Sequence, residues 1–497
     1  MTHFSNTNKP NRIQIFKERL RSLYLTIGFH IYLLQLENYE LGRYWRVLWT
    51  ARYFPRSYPW RKSIVWTPKL FLIVFLAVAV HIASSILFAY YVPFFNVPYV
   101  GLVIFCIAYP FFLSLAVVLI WPLDCIVKQR LIGRAARKIN RFKNLKIIAI
   151  AGSFGKTTVK EVVAAVLSQN YKILVTPDNI NTPLGIARLV LKDLTASTEI
   201  LIVEMGEYYR GDIKKICALT PPDISVVTGI NEAHLERLKT IENTAATIFE
   251  VVRFAKTDAV CVLNADDPNV LRYAPLYARK HKVAWYGNRN QNNNAVKISE
   301  VKFDQNLLQQ TAFARLDAES VQIETKLLGS YAIGSCVAAL TVGNILGLKL
   351  NAMAARLSQV KPVKHRLEPI KSASNVLVID DSYNGNPAGV SEAVHLLNQF
   401  DRTRRRIFLT PGLVEMGNQT RSVHNQIGQD LASAVDLAIL IKNSATPFIA
   451  EGLLKAGFAK DKIIWFNTAL EAHAALKNIL KPHDVILFQN DWGDNYI

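Results

Sequence analysis

From Ala151 to Thr158 the chain reads Ala-Gly-Ser-Phe-Gly-Lys-Thr-Thr, after an apolar, strand-like run from Leu145 to Ile150 and before a helical pattern beginning near Val159. Such a turn binds phosphate. Gly152 and Gly155 let the backbone curl until N–H groups, that of Ser153 included, close around an anion. The following helix adds the positive end of its dipole, Lys156 reaches the terminal phosphates, and Thr157, with Thr158 next to it, offers a hydroxyl to Mg²⁺. Ile150 stands where the longer form of this motif has glycine, so the turn is the short GxxGK[ST] form. Its placement between strand and helix points to ATP, with Mg²⁺, as the ligand.

Other candidate groups are weaker when taken singly. Glu204 ends an apolar run, Ile200–Val203, on the ligand side of a sheet. A carboxylate there suits Mg²⁺ beside Thr157, although a lone strand-end Glu is ordinarily solvated. His234 by itself reads as a structural or surface imidazole, and Asn181-Thr182-Pro183 as a plain turn. The five cysteines are scattered without a CxxC pair, which suggests a reducing compartment and neither a zinc site nor a disulfide framework.

The elements that must carry these groups follow from hydrophobic patterning. Strand-like runs at Lys146–Ile150, Ile200–Val203, Ile224–Thr228 and Ala259–Leu263 alternate with helical stretches such as Val159–Gln169 and Thr240–Ala255. Alternation of this kind predicts a mainly parallel sheet with helices on both faces, with the phosphate turn at the carboxyl end of a central strand. A polar stretch at Asn288–Asn294 leads into an irregular β segment, and a small-residue helix spans Ala332–Leu346. A break near Pro362 precedes a second α/β unit with strands at Val376–Ile379, Arg406–Leu409, Leu437–Ile441 and Val485–Phe488.

The front of the chain differs. No Asp, Glu, Lys or Arg occurs from Leu70 to Leu123. That stretch divides at Pro93–Pro98 into two spans, Leu70–Tyr91 and Tyr99–Trp121, each near the ~20 residues that cross a bilayer. Tyr90, Tyr91, Tyr99 and Trp121 stand where interfacial aromatics belong. Arg61, Lys62 and Lys69 before the pair and Lys128, Arg130, Arg134, Arg137, Lys138, Arg141 and Lys143 after it place both flanks in the cytoplasm. Upstream, apolar Leu23–Leu36 and the aromatics among Arg43, Arg46, Arg52 and Arg56 read as helix lying on anionic lipid. Of the net charge of +20, residues 1–146 supply most, with twenty Lys/Arg against four acids. The later domains are near neutral, so nucleic acid is not an expected partner. The expected organisation is α/β in class: residues 1–145 a membrane-associated segment with a transmembrane helical hairpin, 146–362 a central P-loop ATPase domain, and 363–497 a Rossmann-like C-terminal α/β domain.

Taken together, the motifs resemble those of the Mur ligase family, the ATP-dependent amide ligases of peptidoglycan precursor synthesis. The resemblance rests on the phosphate turn, Asn179-Ile180-Asn181-Thr182-Pro183, Glu204-Met205-Gly206, the string from Thr228 to Glu236, Asn264-Ala265-Asp266-Asp267-Pro268 and Asp380-Asp381-Ser382-Tyr383-Asn384-Gly385-Asn386-Pro387. It covers about residues 146–490. The last string resembles the branch that adds D-alanyl-D-alanine to UDP-N-acetylmuramoyl-tripeptide. The resemblance implies that ATP phosphorylates an acceptor carboxylate and that an amine attacks the acyl-phosphate. It implies roles for Lys156, Glu204 and His234 in catalysis, with Thr157, Glu204 and His234 holding metal. ATP contacts are implied for Asn231, Arg366, Asp381, Tyr383, Asn384, Asn386 and Pro387, and contacts near the acceptor for Asn181 and Thr182. The implied partners are a muramoyl-peptide acceptor, an amino-acid or dipeptide amine, and membrane lipid, at a bacterial-type inner membrane with the ligase domains in the cytoplasm.

The chain departs from the family pattern in four places. Ile248 stands about where relatives carry a lysine that is carbamylated to bridge metals, with Glu250 or water as replacements. Gly329-Ser330-Tyr331-Ala332-Ile333-Gly334-Ser335 replaces the usual adenine-side motif, and Gln489-Asn490-Asp491-Trp492 replaces a Lys-Gly-Ser segment. The apolar hairpin stands in place of the soluble UDP-gripping domain. Two alternatives therefore stay open: a ligase of the same mechanism acting on another envelope substrate, lipid-linked ones included, and a non-catalytic nucleotide-binding scaffold.

Overall fold

A computed structural model of the chain describes residues 27–50, 63–91, 97–177, 180–231, 235–289, 295–372, 374–383, 385–414 and 416–490, with side chains omitted at 97–107 and a few other positions. Arg52, Arg56, Arg61, Lys62, most of the Pro93–Pro98 turn, Asn179, His234, Asn290–Asn294, Asn384 and Asp491-Trp492 lie outside the described residues. The chain forms two compact units, residues up to Gln129 and residues from Arg130 onward.

The first unit is helical: α1 (Ile27–Leu36), α2 (Leu41–Thr50), α3 (Pro68–Tyr91) and most of α4 (Val97–Arg141). α3 and α4 are long and apolar enough to cross a bilayer, by length and composition. α3 buries Leu70, Ile73 and Ala77 on one face, against a core that includes Leu33, Leu34, Tyr44 and Leu113. Its other face is no less apolar yet stays exposed, with Phe71, Phe75, Ile82 and Ile86 outward. A helix apolar all round suits either a protein core or a membrane span. Asp124, the one acid in this stretch of α4, is paired with Lys69 at 2.9 Å and Lys128 at 2.7 Å.

The second unit begins with the end of α4, where Lys138 Nζ donates to the carbonyls of Val190 and Leu191 at 2.9 and 3.0 Å. Both carbonyls lie in the last turn of a helix, where a cation is favoured by the helix dipole. Then come β1 (Lys146–Ala151), α5 (Lys156–Leu167), β2 (Ile173–Val175), α6 (Pro183–Asp193), β3 (Ile200–Glu204), α7 (Asp212–Leu219), β4 (Ile224–Val227), α8 (Leu235–Leu238), α9 (Ile241–Ile248), α10 (Glu250–Arg253), β5 (Val260–Asn264), α11 (Pro268–Tyr277) and β6 (Lys282–Tyr286). These strands form one parallel sheet in the order β2-β3-β1-β4-β5-β6. α5 with the later α12 (Ser330–Ile345) and α13 (Leu350–Leu357) covers one face, and α6, α7, α9 and α11 cover the other. The expected irregular segment is a three-stranded antiparallel meander, β7 (Val296–Asp304), β8 (Gln309–Leu316) and β9 (Glu319–Thr325).

The second sheet follows the same logic. It comprises β10 (Glu368–Lys371), β11 (Leu377–Asp381), β12 (Arg406–Thr410), β13 (Leu437–Ile441), β14 (Ile463–Phe466) and β15 (Val485–Gln489), with α14 (Pro387–Gln399), α15 (Thr420–Ala434), α16 (Thr446–Lys455) and α17 (Ala469–Ile479) between strands. Its order is β10-β11-β15-β12-β13-β14, parallel except for β10. In both sheets the fully buried strands are near-continuous apolar runs, as parallel strands covered on two faces must be.

Candidate active site

The phosphate turn is held by the loop after β4. Gly152 has φ +147°, and a Cβ on it would lie 2.1 Å from Thr228 Oγ1. Ser153 N donates to Gly229 O at 2.8 Å, and Asn231 N to Ser153 Oγ at 3.2 Å. The ring of Phe154 occupies the space that a side chain at Gly229 would need, its Cζ 2.2 Å from that position. The glycines of two strand-end loops thus interlock. Gly155 (φ +74°) opens α5 with no side-chain cap, which leaves the first-turn N–H groups for an anion.

Behind the turn lies a set of charged side chains. Thr157 Oγ1 donates to Glu204 Oε2 at 3.0 Å, Lys160 Nζ is 3.3 Å from the same oxygen, and Asn181 Nδ2 is 3.5 Å from Glu204 Oε1. β3 neighbours β1, with Ile150 in register with Glu204, so the carboxylate emerges beside the turn. A hydroxyl and a carboxylate oxygen this close are a hard-donor set that fits Mg²⁺. Lys156 Nζ donates to Gly152 O and pairs with Glu207 Oε1 at 2.7 Å. Neither Glu207 nor Lys160 stands out in the sequence. The only signal would have been Lys160 one helical turn beyond Lys156 and Glu207 three residues beyond Glu204.

The C-terminal domain enters the same cleft, a space of about 360 Å³ lined by Lys156, Thr157, Asn181, Glu204, Arg366, Tyr383 and Asn386 among others. Burial pulls the Arg366 guanidinium below its ordinary value, while the negative charges of Asp381 and Glu204 oppose that. Asp381 Oδ1 accepts from Leu367 N at 3.1 Å, which fixes the backbone next to Arg366. Asn386 caps α14 through Gly389 N at 3.0 Å with Pro387 at the first helical position, and it also accepts from Asn231 Nδ2 at 3.0 Å. Thr182 likewise caps α6, its Oγ1 accepting from Gly185 N at 3.3 Å ahead of Pro183. Thr182 is exposed and does not line this cleft; Asn181 does. Thr158 lines a neighbouring space with Tyr331, Arg366 and Asp381.

A second cleft of about 320 Å³ opens on the other side of Phe154, among Asn264, Asp266, Asn288, Tyr331 and Ser335. Phe154 and Tyr331 rings meet at 5.1 Å, and burial pushes the Tyr331 hydroxyl up to about 12, so it stays neutral. Ser330, from the departing segment, gives both N and Oγ (2.6 Å) to Glu392 of α14 and accepts from Arg289 Nη2 at 3.1 Å. Ile248 is fully buried among apolar side chains of the sheet's second face. Glu250 is already spent: it accepts from Gly211 N at 3.0 Å and Lys214 N at 2.9 Å, capping the start of α7. Burial raises its carboxyl above the usual range, against those two donors.

Comparison with known proteins identifies the family of both α/β domains. Residues 150–343 match the Mur ligase middle domain, and residues 365–489 match the Mur ligase glutamate ligase domain. A UDP-N-acetylmuramoyl-tripeptide–D-alanyl-D-alanine ligase of Bacillus subtilis is 28% identical over 348 residues, 70% of this chain and 73% of the relative. Its counterpart in Escherichia coli is 27% identical over 320 residues, 63% of this chain and 69% of the relative. Among solved structures, MurF from Acinetobacter baumannii has a TM-score of 0.65 at 23% identity, covering 73% of this chain and 77% of that one. MurF ligase from Thermotoga maritima in complex with ADP has a TM-score of 0.64 at 23% identity, covering 73% and 80%. With two domain matches in order and the phosphate turn where the fold requires it, the chain belongs to the Mur ligase family.

Proposed function

We propose that this chain is an ATP-dependent amide ligase that adds D-alanyl-D-alanine to a UDP-N-acetylmuramoyl-tripeptide through an acyl-phosphate. The observation that carries this reading is Arg366, brought by the C-terminal domain into one cleft with Lys156, Thr157, Glu204 and Asn181. Phosphoryl transfer needs positive charge on several sides of the migrating group and little else. Lys156, the α5 N–H groups and Arg366 supply it from both domains. Thr157 and Glu204 would hold Mg²⁺, which neutralises phosphate charge when bound; His234 is assigned to a second metal position by the motif. The acceptor carboxylate attacks the γ-phosphorus and ADP leaves. The amine then attacks the acyl carbon, and phosphate leaves with one of the original carboxylate oxygens. Asn181 sits beside Glu204, where it can orient the acceptor.

The same reading places α3 and the apolar part of α4 across the inner membrane of a bacterium, with the ligase domains in the cytoplasm. The apolar outer face of α3 supports that placement. It also keeps a lipid-linked acceptor in view.

One experiment tests the chemistry. With oxygen-18 in the acceptor carboxylate, the released phosphate is expected to carry label. Ligation that yields unlabelled phosphate overturns the acyl-phosphate route. ADP release that no acceptor stimulates, across UDP-linked and lipid-linked muramoyl peptides, favours the scaffold.

A further inference from the structure

The two glutamates behind the phosphate turn do not have the same task. Glu204 already meets Thr157, Lys160 and Asn181. Glu207, 2% exposed, meets the lysine that the turn reserves for phosphate, Oε1 to Nζ at 2.7 Å. Lys156 and Lys160 are one helical turn apart on α5; Lys160 faces Glu204 at the end of β3, and Lys156 faces Glu207 three residues beyond it. The Lys156 side chain is itself only 14% exposed, so an unpaired ammonium there would be poorly solvated.

We propose that Glu207 is a positioning residue that stands in for the nucleotide's terminal phosphate, holding Lys156 until ATP displaces it. The inference rests on the nucleotide reading of the turn. Two consequences follow from the charges. Nucleotide must exchange a short, charge-assisted pair for its own contact with Lys156, so binding is weaker than the loop alone would give. Once Lys156 has turned to phosphate, Glu207 is a buried carboxylate beside a polyanion, and a divalent cation on the phosphates is needed to offset the repulsion. Glu207 therefore selects cation-bound over bare nucleotide.

The test is calorimetric titration of the detergent-solubilised full chain with AMP-PNP, in Mg²⁺ and in EDTA. Glu207→Gln is expected to bind AMP-PNP in EDTA about tenfold more tightly than wild type, with a correspondingly smaller gain on adding Mg²⁺. Glu207→Asp, which keeps the charge but shortens its reach, should give an intermediate gain and serves if Glu207→Gln does not fold. In Mg²⁺, where the cation offsets the repulsion, the gain from Glu207→Gln reflects release of Lys156 alone and should disappear in a Lys156→Met background. Unchanged affinity and Mg²⁺ dependence in folded variants, or an equal gain in Mg²⁺ in both backgrounds, overturns the inference. A wild-type chain that binds no AMP-PNP overturns the nucleotide reading and the inference with it.

Discussion

Asn231 and Asn386 are joined side chain to side chain, Nδ2 to Oδ1 at 3.0 Å, across the seam between the two α/β domains. The same Asn386 oxygen caps α14, and the backbone N–H of Asn231 holds Ser153 in the phosphate turn. Turn, seam and helix start are thus linked through two amides. Asn386→Ala is expected to cost about 1 kcal/mol of C-terminal-domain stability through the lost cap. It should also raise the KM for ATP, because Arg366 and Tyr383 are carried by that domain. Thermal unfolding and steady-state kinetics on one preparation separate the two effects.

Lys156→Ala should lower turnover by about 10²–10³-fold, the usual loss for one donor aimed at transition-state charge, while the melting temperature holds. Glu204→Ala should do the same and also raise the Mg²⁺ concentration needed for half-maximal rate. Near-normal ligation by either variant removes these residues from the chemistry.

Gly152→Ala should abolish AMP-PNP binding in a chain that still folds. The new methyl would meet Thr228 Oγ1 at 2.1 Å in a backbone conformation that non-glycine residues avoid. Calorimetry reads the binding, and circular dichroism the fold.

Acid should loosen the C-terminal sheet through Asp436. Burial favours its neutral form, but the N–H and guanidinium of Arg406 outweigh that and hold the carboxyl below the usual range. A depressed native value stabilises the fold above the unfolded value and ceases to do so as pH falls through the native one, here below about pH 4. Hydrogen exchange in β12 and β13 should rise there, and Asp436→Asn should remove that part of the pH dependence.

Membranes containing the chain should retain it through a high-salt wash and release it to detergent. Release by salt alone would mean that only the basic residues of the front segment hold it.

The parallel strands β1, β3, β4, β5, β11, β12, β13 and β15 are legible in the sequence because each is a continuous apolar run between turns. β2 is too short to register, and β6 and β14 are edge strands of only four or five residues with half-exposed positions. The grouping of Lys156, Thr157 and Glu204 follows from strand-end motifs on adjacent strands. Lys160 and Glu207 escape notice because neither belongs to one of the motifs, and their ion pairs with Glu204 and Lys156 show only once β3 lies beside β1. Thr182 shows the converse. A motif residue can fulfil its local rule, capping a helix, without facing the cleft.

The place of β15 has a consequence for how the molecule comes into being. It is the last strand of the second sheet in sequence, yet it lies between β11 and β12, pairing with both. A chain growing from its amino end makes β10 through β14 first and holds them as two unjoined halves until β15 arrives. Only then is the strand bearing Asp381 fastened on its inner side. A nascent chain can complete its phosphate turn early, but it cannot bring a fixed Arg366 to that turn before synthesis has passed Gln489. The nucleotide site is therefore assembled late, and an interrupted chain is left unable to close on ATP.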